Sequence, residues 1–352
     1  MNLDSKILIC FNEPTRLYSN YLGKDTNDDK ENVDLSETDF LNQIENIKKI
    51  LSKKYISVDT LAVNSDIKAL IKKVNHYSPD VILNFVESVE GVSNLESYIA
   101  GFFDLLGVPY TGNNPICLGN CLIKSRTKQI LNSHGIKTPR HLITKLHRIP
   151  SQKELLLRYP MILKLAREDA SIGISEFSVV NDYDSLKKRL QYLYSNYNQE
   201  VLIEEYIDGR ELNVAILGDQ LLPISEIRFD GLPEELPKII TYEAKWSPES
   251  IYYKHTTPKC PAPLDNKLKS KIEEMALEAY KALECRDYAR VDIRLNNKNV
   301  PYVIEVNPNP DISPDSGFVR SAAAAGISYE ELLYRLTQLA LKRIQYDTQA
   351  AI

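Results

Sequence analysis

Between Ala289 and Asn307 the chain alternates apolar and polar residues along two successive runs, and few patterns restrict a fold as tightly. Ala289, Val291, Ile293 and Leu295 fall on one face by the period-two rule, and Arg290, Asp292 and Arg294 fall on the other. The turn Asn296-Asn297-Lys298-Asn299 sends the chain back, and in the return strand Ile304 and Val306 are apolar while Glu305 and Asn307 share the opposite face. Two adjacent strands therefore offer two carboxylates and an amide oxygen toward one place. Hard cations such as Mg2+ take oxygen ligands of this kind and keep coordination positions for substrate phosphates. Taken alone, Asp292 and Glu305 read equally well as solvated charges on the open face of an antiparallel pair.

The chain has 352 residues, enough for two or three domains, with an ordinary globular balance of 43% hydrophobic and 26% charged residues. A net charge of −5 excludes a global basic field that would hold nucleic acid or an anionic membrane, so any phosphate site must be local. The five cysteines form no CxxC pair and are odd in number, which fits reduced thiols in a cytoplasmic protein. Cys117 and Cys121 stand i,i+4; with no His or further Cys near them in sequence, they are expected to be small buried apolar residues. The start of the chain runs directly into the strand-like Ile7–Phe11 without signal-peptide features, and no apolar run approaches the ~18 residues of a membrane span.

Organisation follows from periodicity. Strand patterns at 6–11, 57–63 and 81–85 alternate with helical patterns at 39–55 and 67–74, which predicts a small parallel sheet covered by helices; Gly23–Asp39 reads as a solvated loop. A helix over 94–106, a turn-rich strand at 108–112 and a helix over 117–133 follow. Next come strands at 161–166 and 174–180, a helix at 183–194 and a strand at 201–206, and then mostly strand at 212–217, 220–228 and 239–241. Residues 242–263 read as a long lid loop without periodicity, followed by an amphipathic helix over 264–283 and, past the hairpin, helices at 317–325 and 329–344.

Three lysines suit a nucleotide's phosphates: Lys124 at a helix start, Lys164 inside an apolar strand, and Lys245 in the lid. An ammonium within an apolar strand is costly to bury and calls for an anionic partner. Singly, each also reads as a snorkelling or surface charge. Glu204 at a strand end and Glu211 after the Asp208-Gly209 turn are candidate acceptors for an adenine amino group and ribose hydroxyls, or rim charges of a hairpin.

Taken in order, Lys124, Lys164, Glu204-Glu-Tyr-Ile-Asp-Gly-Arg-Glu211, Tyr242-Glu-Ala-Lys-Trp246, Arg290-Val-Asp292 and Glu305-Val-Asn307 resemble the ATP-grasp fold, and most closely the D-alanine–D-alanine ligase family. Asn84-Phe85 with Glu96, Gly107–Gly112 and His134–Pro139 match that family's framework, so the resemblance runs from Val81 to the last helix. It implies a mixed α/β and α+β architecture of three domains. These are an N-terminal parallel α/β (pre-ATP-grasp) domain over 1–114, a central ATP-grasp subdomain over 115–203, and a C-terminal ATP-grasp subdomain over 204–352 carrying the lid loop 242–263. It implies ATP and two Mg2+ ions, with Mn2+ as a substitute, small-molecule carboxylate and amine substrates, and a homodimer.

Residue by residue, the resemblance puts Lys124 and Lys164 on the α and β phosphates and Ser171 over them. Glu204, Tyr206 and Ile207 line the adenine pocket, Glu211 takes the ribose, and Lys245 reaches the γ-phosphate. Asp292, Glu305 and Asn307 hold metal, and Arg290 stabilises charge on the attacked carbonyl. The departures lie elsewhere. Arg167-Glu-Asp-Ala-Ser171 stands where the family reads Arg-Glu-Gly-Ser-Ser, so Ala170 removes a serine hydroxyl. Trp246 replaces a tyrosine, and an indole only donates. The family's Gly-Gly turn is missing, leaving Glu13 as the candidate to hold a substrate amino group. Ser316 matches a serine on the acceptor carboxylate, and Gly317 replaces a leucine. Nucleotide residues kept and substrate residues changed imply a ligase of this type with an altered substrate pair.

Overall fold

A computed structural model describes residues 3–13, 30–168 and 171–350. The first unit begins with β1 (Leu3–Asn12), α1 (Lys30–Leu51), β2 (Tyr55–Val63), α2 (Ile67–Tyr77) and β3 (Val81–Phe85), then α3 (Leu95–Leu105). Its three strands form a parallel sheet in the order β2-β1-β3. Ile7, Ile9, Val81 and Leu83 face one core, and Leu8, Cys10 and Ile82 face another, because strand neighbours alternate between faces. The expected strand at 108–112 is reduced to a single bridge between Ile82 and Tyr110. Helix α1 starts at Lys30, earlier than the apolar pattern indicates. The rest of the expected 23–39 loop, up to residue 29, lies outside the described residues.

The expected single helix over 117–133 is two. Pro115–Leu122 (α4) starts with proline in its first turn and an Asn114 cap, and Lys124–Ser133 (α5) follows, because Ile123 adopts an extended conformation between them. That break makes Lys124 a helix N-terminus, whose N–H donates to the Ala166 carbonyl at 3.2 Å. Next come β4 (His141–Ile143), β5 (Met161–Leu165), β6 (Val179–Val180), α6 (Tyr183–Tyr197) and β7 (Val201–Glu205). They form an antiparallel four-stranded sheet in the order β4-β7-β5-β6, with Leu186, Leu190 and Leu193 of α6 packed beneath. Only Val179 and Val180 of the expected 174–180 strand pair; Glu176–Ser178 form a 3-10 turn in which the Ser175 N–H donates to the Ser178 hydroxyl oxygen at 3.0 Å.

The largest sheet has six strands: β8 (Gly209–Leu217), β9 (Gln220–Leu221), β10 (Ser225–Arg228), β11 (Thr257–Lys259), β12 (Tyr288–Asn296) and β13 (Pro301–Asn307). The expected strand at 220–228 is split at 222–224, and 239–241 forms none. The lid is more ordered than its lack of periodicity suggests: it holds α7 (Tyr242–Trp246), α8 (Ile251–His255) and β11, and the short helices are capped by Thr241 and Ser250. Helix α9 (Asn266–Ala282) covers the apolar face of β8, β12 and β13, where Ile272 and Ala276 meet Val214, Val291 and Ile293. Gly209 is required where β8 begins: its φ is +142° and a Cβ would lie 2.0 Å from the Leu295 carbonyl oxygen. Two helices close the chain, α10 (Gly317–Ala324) and α11 (Tyr329–Ala350), and they pack against the first sheet's core through Phe318, Leu332 and Leu336. Among the described residues no helix is long and apolar enough to cross a membrane.

Candidate active site

The polar face of the hairpin is one wall of a cleft. Register places Arg294 opposite Glu211, Asp292 opposite Asn213 on one side and Glu305 on the other, and Arg290 opposite Asn307. Cross-strand neighbours lie about 5 Å apart, so these side chains meet directly. Arg290 holds Asp292 with two bonds of 2.8 Å, and the Asn213 and Asn307 amides donate to the same carboxylate at 2.7 and 3.0 Å. The alternation breaks at one point: a bulge between Asp292 and Ile293 pairs Val303 with Ile293, so Ile304 turns with Glu305 into the cleft instead of joining the core. The carbonyl freed there accepts from Lys128 Nζ at 3.2 Å.

The four-stranded sheet supplies the other wall. Lys164 and Glu204 sit diagonally on β5 and β7, with Lys164 Nζ 3.2 Å from Glu204 Oε2. Helix α5 ties the two sheets together, because residues four apart share a helix face. Lys124 reaches Glu305 of the large sheet at 2.7 Å, and Lys128 reaches Glu204 of the small one at 2.6 Å. Lys128 and Glu204 are each 1% exposed, and Lys128 holds Glu204 from outside the cleft lining.

The charges respond to burial and to one another. Burial raises the Glu305 carboxyl, but Lys124, Lys164 and Arg290 outweigh it and bring it down to about 2. Burial also opposes the Glu204 charge, and Lys128 and Lys164 together overcome it and hold the carboxyl below its usual range. Lys128 has the harder position: desolvation dominates, Lys164 repels it, and Glu204 and Glu305 do not compensate, so its ammonium is shifted down. Glu211 is shifted up by burial first and by Asp292, against the pull of Arg294. Lys245 is shifted down, by desolvation against the cleft walls first and by the charge of Arg290 next, against the pull of Glu305 and Asp292.

Lys124, Lys164, Ser171, Glu204, Tyr206, Ile207, Glu211, Lys245, Arg290, Asp292, Glu305 and Asn307 all line this one cleft. Ile162, Ile174, Ile239 and Ile304 add an apolar patch beside them, of the kind that takes a flat ring. Glu13, Trp246, Ser316 and Gly317 do not line it. Glu13 is exposed and accepts from Asn64 at 2.9 Å; Trp246 ends α7 with 60% of its surface exposed; Ser316 caps α10, and Gly317 opens that helix. Asp169 and Ala170 lie outside the described residues.

Comparison with known proteins agrees with this geometry. The family model of the D-ala D-ala ligase C-terminus matches residues 130–338. A D-alanine–D-alanine ligase from Nitrosospira multiformis is 32% identical over 242 residues, 69% of this chain and 74% of its own. The chain belongs to the D-alanine–D-alanine ligase family. An uncharacterized protein, y4sG, of Sinorhizobium fredii is 31% identical over 296 residues, covering 81% of this chain and 84% of that one. The crystal structure of D-alanine–D-alanine ligase from Bacillus anthracis complexed with ATP superposes with a TM-score of 0.72 at 26% identity, covering 97% of this chain and 99% of that one. The fold is therefore the ATP-grasp fold of D-alanine–D-alanine ligases.

The donor set of this family member fits Mg2+. Asp292, Glu305 and Asn307 offer hard oxygen atoms side by side, and carboxylates outnumber cationic side chains in the cleft lining, so a polyphosphate there needs added positive charge. Two contributors were missed in the sequence. Lys128 was signalled only by its i+4 spacing from Lys124. Arg294 was signalled by its place on the polar face of β12, but its contacts are tertiary: Glu211 at 2.9 Å, the Lys238 carbonyl at 2.8 Å and the Tyr206 ring at 4.9 Å.

Proposed function

We propose that the chain is an ATP- and Mg2+-dependent, ADP-forming ligase that joins a small carboxylate to an amine, with a substrate pair other than two D-alanines. The observation that carries this reading is the gathering of Lys124, Lys164, Lys245 and Arg290 with Asp292 and Glu305 around one cleft. Phosphoryl transfer needs positioned cations more than covalent help from the protein. Lys124 and Lys164 bind the α and β phosphates, Lys245 the γ-phosphate, and Ser171 covers them. The isoleucine patch with Tyr206 and Ile207 takes the adenine, and Glu211 the ribose. Bound Mg2+, held by Asp292, Glu305 and Asn307, supplies charge neutralisation for the phosphates.

The substrate carboxylate oxygen attacks the γ-phosphorus and ADP leaves with the bridging oxygen. The amine then attacks the acyl carbon of the acyl phosphate, loses a proton, and expels inorganic phosphate. Arg290 stabilises charge on the attacked carbonyl, and the lid excludes water that would hydrolyse the acyl phosphate. The altered substrate pair is supported by Trp246 in place of a phenol and by a Glu13 that is bonded to Asn64.

The test is ADP and phosphate release over a panel of amino acids, dipeptides and amines, D-alanine included, with product masses measured. Stimulation by a pair other than D-alanine supports the proposal. D-alanine alone yielding a dipeptide establishes the second reading, favoured by the family match, of an authentic D-alanine–D-alanine ligase. ATP binding without turnover on any pair overturns both and leaves a nucleotide-binding regulator.

A further inference from the structure

Three thiols outside the cleft have no part in this chemistry. Cys117 and Cys121 lie one turn apart on α4, so their side chains share a helix face. Cys285 reaches them from the loop between α9 and β12, 168 positions along the chain from Cys117. The expectation that Cys117 and Cys121 are only small apolar residues rested on the lack of a further cysteine, and the fold provides one. All three are buried, their sulfur atoms lie within 4.8 Å of one another, and Cys117 Sγ is 3.5 Å from Cys285 Sγ.

These spacings bracket those of sulfurs that share one ion. A metal–sulfur bond of about 2.3 Å puts two sulfurs roughly 3.8 Å apart around a tetrahedral centre and roughly 4.0 Å apart around a trigonal one. One of the three also sits at a helix start. Cys117 sits in the first turn of α4, with its N–H on Asn114 Oδ1 at 2.8 Å, at the positive end of the helix. A disulfide would use two sulfurs and leave the third without a role, whereas convergence of three on one point is a ligand arrangement. Among the described residues no fourth His, Cys, Asp or Glu joins the group. Closed structural zinc sites take four protein ligands, so a dry set of three sulfurs selects a softer ion.

We propose that Cys117, Cys121 and Cys285 form a three-thiolate site for a single soft, thiophilic metal ion of the Cu(I) type. Binding releases the thiol protons. Because Cys121 precedes Lys124 by three residues and Cys285 precedes Arg290 by five, a loaded site fixes α4 to the entry of β12 behind the cleft. This inference does not depend on the ligase reading.

The full-length chain is isolated from copper-supplemented cells, and metal-free, reduced protein is separately titrated with Cd2+ without oxygen. The expected result is one ion per chain by either route, with thiolate-to-metal absorption in the ultraviolet, three thiols shielded from alkylation, and a raised thermal midpoint. Cys121→Ser and Cys285→Ser each lose stoichiometric binding, and Cys260→Ser keeps it. Circular dichroism of the metal-free variants checks folding, and Cys121→Ala and Cys285→Ala replace any serine variant that fails it. Absence of bound metal by both routes overturns the site. So does binding that persists without Cys121 and Cys285, or a Cys117–Cys285 disulfide, seen as loss of two hydrogens without metal.

Discussion

The two ends of the cleft are built differently. At the end proposed for the phosphates the expected side chains line one cleft, and several are braced by a neighbour. Lys124 is paired with Glu305, Lys164 with Glu204, and Asp292 with Arg290 and two amides. At the substrate end the expected residues stand apart: Glu13 and Trp246 are exposed, and Ser316 and Gly317 serve the start of a helix. Under the proposed function, ATP handling rests on preorganised charge between two sheets, while selection of what is joined is assigned to loops and helix ends outside that cleft.

The comparison breaks first if the phosphate end is not preorganised. Lys128→Met leaves buried Glu204 with Lys164 alone, and removing one partner of such a pair costs about 3–5 kcal/mol. Denaturant unfolding measures it; a loss under about 1 kcal/mol would show that the brace is unimportant. Lys164→Ala and Glu305→Gln are expected to lower kcat/KM for ATP by about 10²–10³, as for removal of a positioned charge at a reacting centre. Unchanged turnover in either variant would remove that residue from the proposed machinery.

Acidity sharpens the same contrast. The Glu204 carboxyl is held below its usual range, so its contribution to stability is complete above the ordinary glutamate value and is lost as pH falls below it. Wild type should exceed Glu204→Gln in stability at pH 7, with the gap narrowing as the solution is acidified below pH 4. A gap independent of pH would mean the charge is not what Glu204 contributes.

At the substrate end the effects are smaller. Trp246→Tyr restores a phenol and is expected to leave KM for ATP within about threefold while shifting preference among carboxylate and amine substrates by about tenfold, worth about 1.4 kcal/mol. A uniform change across the panel would show that the lid aromatic does not select. Ser316→Ala is expected to cost about 1 kcal/mol through loss of the α10 cap, read from the unfolding midpoint, with a separate rise in acceptor KM if Ser316 also binds substrate.

Period-two alternation determined which face of the hairpin carries Arg290, Asp292, Glu305 and Asn307, because burial of one side of a sheet is a local rule. The anomaly of a lysine in the apolar strand 161–165 likewise pointed to a partner, found in Glu204. What alternation cannot show is an extra residue in one strand: the bulge sends Ile304 into the cleft, and only pairing with β12 reveals it. Lys124 was read at a helix start, as found, but the break at Ile123 that separates it from the preceding helix was hidden, since the 117–133 pattern has no proline or glycine there.

The sequence alone determined the alternation of strands and helices and the order of the motifs, and it was the resemblance of that order to the D-alanine–D-alanine ligase family that implied the ATP-grasp framework and the candidate nucleotide residues. Tertiary structure decided the partners. Lys128 with Glu204, Arg294 with Glu211, and Cys285 with Cys117 join residues far apart in sequence. No local pattern encodes such contacts, and burial between packed elements both brings these groups together and gives their charges their strength.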